Sequence, residues 1–248
     1  MIQIIGSPIS PYVKKVLTLL LMKGVDFEVD PITPFFGNDQ FTELSPLRRI
    51  PVFIDGNFVL NDSTVIAEYI EECWPSPAAL PGDPNLRAQA RWLEEYSDSK
   101  IGDEFIWKSF AQIIVAPFAF KKEPDHAAFE ANLEAGVADV MNYLEKQMPD
   151  EKFLVGEFGL ADISIAAMFR NMHYVKWGPD EKRWPKTAAW LQRCEMQPAL
   201  AKANEWSDAL FTVKPPERRA LAEKIGLKLT TETVMQREAR RGPMTVIG

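Results

Sequence analysis

Apolar residues follow two regimes along this chain: short runs broken by Gly and Pro up to about residue 75, then recurrence at three- and four-residue intervals from about residue 86. Ile2, Ile4 and Ile5 are β-branched and halted by Gly6, so Met1–Ile5 reads as a short buried strand. The run Val16–Met22 suits a core-facing helix that stops at Gly24. Val25–Val29 alternates apolar and charged residues and predicts a second strand. Strand, helix and strand within thirty residues imply a parallel βαβ unit with a right-handed crossover. Pro31–Phe41 reads as a loop, and Phe41–Leu44 as a short helical turn. Arg48–Leu60 then reads as a hairpin, its two apolar runs separated by Asp55-Gly56-Asn57. Asn61-Asp62-Ser63-Thr64 caps a helix over Val65–Glu72, which ends before Pro75.

The stretch Ser76–Pro84 holds three prolines and a glycine and predicts a linker. Helical spacing follows over Leu86–Ala119, His126–Gln147, Leu160–Val175, Trp184–Cys194 and Pro198–Leu210. Leu160–Val175 is apolar nearly all round, as a buried central helix should be. The organisation expected is an α/β domain over 1–75, a linker over 76–85, an all-helical domain over 86–212 and a tail over 213–248. Within that tail Pro216–Ile225 is a possible helix.

The 248 residues carry a net charge of −7, which argues against a general nucleic-acid binder. From Lys214 onward eight basic side chains stand against four acidic ones, which leaves the preceding body at −11. A basic tail lying on an acidic body would loosen at high salt. Cys73 and Cys194 are far apart, and His126 and His173 are isolated, so neither a disulfide framework, a metal site nor a histidine triad is expected. No apolar run approaches bilayer-spanning length and the N-terminus has no secretory pattern, so a cytoplasmic protein that does not enter the membrane is expected.

Ser10 stands at the start of the first helix, with Pro11 suited to its first position. Ser10 as a simple N-cap explains these residues. The same place also suits chemistry: a helix N-terminus stabilises an anion, and a hydroxyl can donate to a bound thiolate. Ser7 is also followed by proline, but the helix begins at Ser10.

Together these stretches resemble the cytosolic glutathione transferases, a thioredoxin-like domain followed by an all-helical domain, over about residues 1–210. Ser10-Pro11-Tyr12-Val13 resembles the Ser-Pro-Phe stretch of the serine-type members, particularly the plant tau class, and falls where glutaredoxins place Cys-Pro-Tyr-Cys. Arg49-Ile50-Pro51-Val52 resembles the segment around the family's cis-proline, and Asp62-Ser63-Thr64-Val65-Ile66 its Glu-Ser-x-x-Ile box. Arg91–Lys100 and Leu160-Ala161-Asp162-Ile163-Ser164 resemble its helix signatures.

The resemblance implies that Ser10 hydrogen-bonds the glutathione sulfur and that the Ile50 backbone, before Pro51, pairs with the cysteinyl part. It gives the γ-glutamyl end to Asp62 and Ser63 and the glycyl carboxylate to Arg49, against the plainer readings of helix capping and a solvated charge. Base rates alone favour a trans Ile50–Pro51 bond; the resemblance implies cis. An apolar electrophile would lie between the first domain and the long helix, touching Tyr12, Phe35, Trp107 and Phe110. The alternative for the Phe35-Phe36 pair is packing under its own loop.

Asp62 replaces the commoner Glu and is one methylene shorter. Gly159 sits where the family has Ser or Thr, after a loop one residue short, and implies a small stability cost. The tail either crosses the mouth of the second-substrate pocket or packs elsewhere. The activity implied is transfer of glutathione, as co-substrate and without a metal, to a small electrophile, by a homodimer. Glutathione-dependent isomerisation, dehalogenation or peroxide reduction use the same thiol, and a non-catalytic ligand-binding or assembly protein would keep only the fold.

Overall fold

The computed structural model of the chain describes residues 1–243 and 245; the very end of the predicted tail, at 244 and 246–248, lies outside the described residues. In chain order the elements begin with β1 (Ile2–Ile5), α1 (Pro11–Met22), β2 (Phe27–Asp30), a single 3-10 turn (Pro34–Phe36) and α2 (Asp39–Leu44). There follow β3 (Val52–Asp55), β4 (Phe58–Asn61) and α3 (Ser63–Cys73). The helical run is α4 (Pro84–Tyr96), a wider-wound continuation (Ser97–Val115), α5 (Ala116–Phe120), α6 (His126–Asn132), a second wide turn (Leu133–Val137) and α7 (Ala138–Gln147). Last come α8 (Leu160–Tyr174), α9 (Pro185–Glu195), α10 (Pro198–Phe211) and α11 (Pro215–Lys224).

The four strands make one sheet in the order β2-β1-β3-β4. β1 runs parallel to β2, with Ile2 opposite Phe27 and Ile5 opposite Asp30, as the βαβ pattern requires. β3 returns antiparallel to β1, with Ile4 opposite Phe53, and turns through Gly56 into β4. Ile4, Val29, Val52 and Phe53 are fully buried on this sheet. The polar-looking first turns of α1 are buried too, including Lys14 and Lys15. Lys15 Nζ donates to Thr64 Oγ1 at 3.3 Å, which ties α1 to the start of α3.

Two compact units divide the chain, and their bounds differ from the expected ones at the C-terminal side. The first takes in Met1–Pro77 together with Pro198–Thr245; the second includes Ala78–Gln197. The helical pattern of Pro198–Leu210 says nothing about which neighbour it covers, and α10 packs on α1. Trp206 of α10 meets Phe27 edge to face at 6.2 Å. The residues after α11 then run along the outer edge of β2. Val29 donates its N–H to the Lys228 carbonyl at 2.9 Å and accepts from Thr230 N at 3.3 Å. Leu229 therefore lies parallel beside Val29, and the edge of the sheet is covered.

In the second unit α8 is buried over nearly its whole length, as its all-round apolar pattern predicts. Its start shows why glycine stands at 159. A Cβ on Gly159 would overlap the Ala79 carbonyl oxygen. That oxygen accepts from Leu160 N at 2.8 Å, so the linker backbone satisfies the first free N–H of α8. Asp162 completes this start, accepting from Leu154 N at 3.0 Å, Gly159 N at 3.2 Å and Trp190 Nε1 at 2.8 Å.

Candidate functional site

Around the start of α1 the first unit brings the loop after β1 and the Ile50–Pro51 segment together. Gly6 ends β1 with φ 150°, a conformation that glycine permits. A Cβ on it would stand 2.6 Å from a Val13 methyl and 3.0 Å from Ile50 Cβ. The first turn of α1 and the Ile50–Pro51 segment thus close on the same point. The Ile50–Pro51 bond is cis, as the resemblance implies and base rates do not.

Ser7 and Ser10 separate cleanly. Ser7 is fully buried; its Oγ accepts from Ile9 N at 3.4 Å and its carbonyl from Ser10 N at 2.9 Å within its own turn, while its N–H donates to the Ile32 carbonyl. Ser10 occupies the N-cap position with φ −68° and ψ 128°, and its carbonyl accepts from Lys14 N at 2.9 Å, yet its side chain makes no capping hydrogen bond. Ser10 is half-exposed. The hydroxyl therefore stands at a helix N-terminus without being consumed by it.

The neighbouring arginines have opposite fates. Arg48 is buried, with φ 51°, and its guanidinium donates to the carbonyls of Gly37 at 2.7 Å and Pro34 at 3.3 Å and to Thr42 Oγ1. Burial, followed by the nearby Arg240 charge, lowers its pKa from the ordinary arginine value. Arg49 is exposed. Its backbone is held at both ends by Ser45, whose Oγ donates to the Arg49 carbonyl at 2.9 Å and accepts from Arg49 N at 3.0 Å. Ser45 and Arg48, which fix the approach to Ile50, were not singled out in the sequence; only the Ser-Pro and Arg-Arg pairs marked the place.

At the start of α3, Asp62 has φ 75°, a strained value for a residue with a side chain. Its carboxylate accepts from Thr64 N at 3.0 Å and Val65 N at 3.3 Å. Asp62 is exposed and Ser63 is buried. Tyr12 and Phe35 are half-buried residues of the first unit. In the second unit Trp107 is half-buried, while Phe110 is buried and packs on Tyr174 at 6.2 Å between ring centres. Among the described residues no group of three or more His, Cys, Asp and Glu could hold a metal ion.

Comparison with known proteins fits this geometry. Residues 4–78 match the glutathione S-transferase N-terminal domain, and residues 106–198 match the glutathione S-transferase C-terminal domain. Glutathione S-transferase U28 of Arabidopsis thaliana is 28% identical over 211 residues, covering 82% of this chain and 88% of that protein. A probable glutathione S-transferase of Glycine max is 33% identical over 172 residues, covering 68% and 69% respectively. Among solved structures, FzlA from C. crescentus shares the fold with a TM-score of 0.76 at 22% identity, over 93% of this chain and 96% of that one.

Proposed function

The chain belongs to the glutathione S-transferase family, and on that premise we propose that Ser10 stabilises the glutathione thiolate for attack on a small apolar electrophile. The observation that carries this reading is the Ser10 hydroxyl, set at the N-cap of α1 without a capping bond while Ser7 is buried in its own turn. A free thiol has a pKa of about 8.5 and is a few per cent ionised at neutral pH. One charge-assisted hydrogen bond and the positive end of α1 together supply roughly 2.7 kcal/mol, enough to lower that value by about two units. Glutathione is a co-substrate, and the activated sulfur forms the new bond to the electrophilic carbon as the displaced group leaves with its electron pair.

The other parts of the tripeptide are assigned by chemistry. The Ile50 backbone, beside cis Pro51, pairs with the cysteinyl part; Asp62 and Ser63 at the start of α3 take the γ-glutamyl end; exposed Arg49 suits the glycyl carboxylate. Tyr12 and Phe35 supply apolar surface to the electrophile, and Trp107 keeps that assignment better than Phe110, which is committed to the helical core. Nothing in this chemistry calls for a metal.

Replacing Ser10 with Ala should raise the pKa of bound glutathione by about one to two units, read from thiolate absorbance against pH. An unchanged titration rejects the role. We also propose a cytoplasmic homodimer; sedimentation equilibrium should return about twice the chain mass of 28.1 kDa, and a single-chain mass at micromolar concentration rejects it. No helix among the described residues is long and apolar enough to cross a membrane.

A further inference from the structure

The tail from α11 onward reaches Asp30 at the end of β2, the turn that carries Phe35, and Arg48, and the family match in this half ends at residue 78 without it. Its link to the Ser7–Ser10 loop is indirect and runs through Asp30. That carboxylate is fully buried and faces the tail, accepting from Arg219 Nη1 at 3.0 Å, Thr233 Oγ1 at 2.9 Å and Val234 N at 2.8 Å. The carbonyl of the same residue accepts from Gly6 N at 2.8 Å and Ile32 N at 2.8 Å. Asp30 thus joins the tail on one side to the base of the Ser7–Ser10 loop on the other.

The Phe35 turn is held more directly. Gln236 N donates to the Phe36 carbonyl and Arg240 N to the Phe35 carbonyl, both at 2.7 Å, while Asn38 N donates to the Val234 carbonyl at 2.8 Å. These bonds fix the turn that presents Phe35. Gly242 lies so close to Arg48 that an added Cβ would stand 2.8 Å from the Arg48 Cβ. Arg48 in turn grips Pro34 and Gly37, two residues before the Ile50–Pro51 segment begins. Such convergence exceeds what covering a sheet edge requires: the ladder at Val29 alone would do that.

We propose that Arg219 together with residues 227–242 is a positioning element of the thiol site, acting through Asp30 on the Ser10 loop and through the Phe35 turn on the electrophile. This rests on the reading of Ser10 given above. None of these residues touches substrate; they set where Ser10 and Phe35 stand. Geometry held by packed and hydrogen-bonded supports is what lets a site favour the reacting arrangement.

The test uses the full chain carrying Gln236→Pro and Arg240→Pro, which delete two backbone donors, one at a half-buried and one at an exposed position, and a second variant, Arg219→Met, with Arg219→Lys as the conservative partner. Amide hydrogen exchange is followed at Gly6, Ser7 and Phe36, and steady-state kinetics with glutathione and an aryl halide. In the proline variant Phe36 should exchange faster, and KM for the aryl halide should rise roughly tenfold with kcat changed less than threefold, the size expected for losing one to two hydrogen bonds. In Arg219→Met exchange should quicken at Gly6 and Ser7 and the pH dependence of kcat/KM should shift upward, with partial return in Arg219→Lys. Unchanged exchange at these amides overturns the proposal, and so does faster exchange with unaltered KM and pH profile. The exchange arm stands apart from thiol activation: if Ser10→Ala leaves the thiolate titration unmoved, the Ser10 reading fails while the coupling of tail to loop is still decided.

Discussion

Asp162 shows how one side chain can set the start of a buried helix and carry a pH dependence with it. Burial raises its pKa, against hydrogen bonds from Leu154 N, Trp190 and Gly159 N, from 3.8 to about 6. A carboxyl raised in the folded state favours folding while it is protonated. Its contribution is therefore fully present below 3.8 and lost as pH rises through about 6. The stability of the wild type relative to Asp162→Asn, whose amide does not titrate, should fall by about 3 kcal/mol across that window. Urea midpoints of both proteins at successive pH values measure it, and a constant difference refutes it. The Asp162 motif is readable in the sequence as part of a helix signature; its three donors, one of them from Trp190 in another helix, are not.

At the scale of elements, local pattern located most helices to within a few residues but did not say what each would cover. α11 begins at Pro215 and the long helix at Pro84, each near the expected start, because proline is a local signal, joined at Pro84 by the Asp83 cap. The tail's basic character is equally local, and three of its side chains do meet aspartates: Lys228 with Asp26, Arg219 with Asp30 and Arg240 with Asp39. Two of these pairs are exposed, so solvent and salt screen them and they contribute little. Asp30 is buried, and the remaining hold is a backbone ladder. Raising salt from 0.1 to about 1 M should therefore loosen only the Lys228 and Arg240 contacts. Amide exchange at Val29 and Val234 should stay slow in that salt; fast exchange there would restore a purely electrostatic tail.

At the scale of the molecule, the first unit is assembled from both ends of the chain. α1 is buried on the side that meets α10 as well as on the sheet side, through residues such as Val13, Val16, Leu17 and Leu20. Leu200, Ala203, Trp206 and Leu210 are the buried apolar residues of α10, each large one worth about 1.5–3 kcal/mol when covered. Losing several such contacts removes most of the 5–15 kcal/mol that keeps a domain folded. A fragment of residues 1–78, the extent of the N-terminal family match, should therefore give poorly dispersed amide signals. Joining residues 198–245 to it through a flexible linker should restore dispersion. A well-dispersed spectrum from the short fragment would show that α10 and the tail are dispensable.

What the sequence determined by itself was local: the strand, helix, strand opening, the hairpin at Asp55-Gly56-Asn57, the helix starts at Ser10 and Asp62, and the continuous apolar helix over Leu160–Tyr174. Each follows from the spacing of side chains a few positions apart or from a residue's own backbone preference. Tertiary structure decided which of Arg48 and Arg49 turns inward, whose carbonyl caps the helix after Gly159, and that residues 198–242 return to the first unit. Those outcomes depend on partners far away in the chain, and a periodic pattern records that a face is apolar without recording what will cover it.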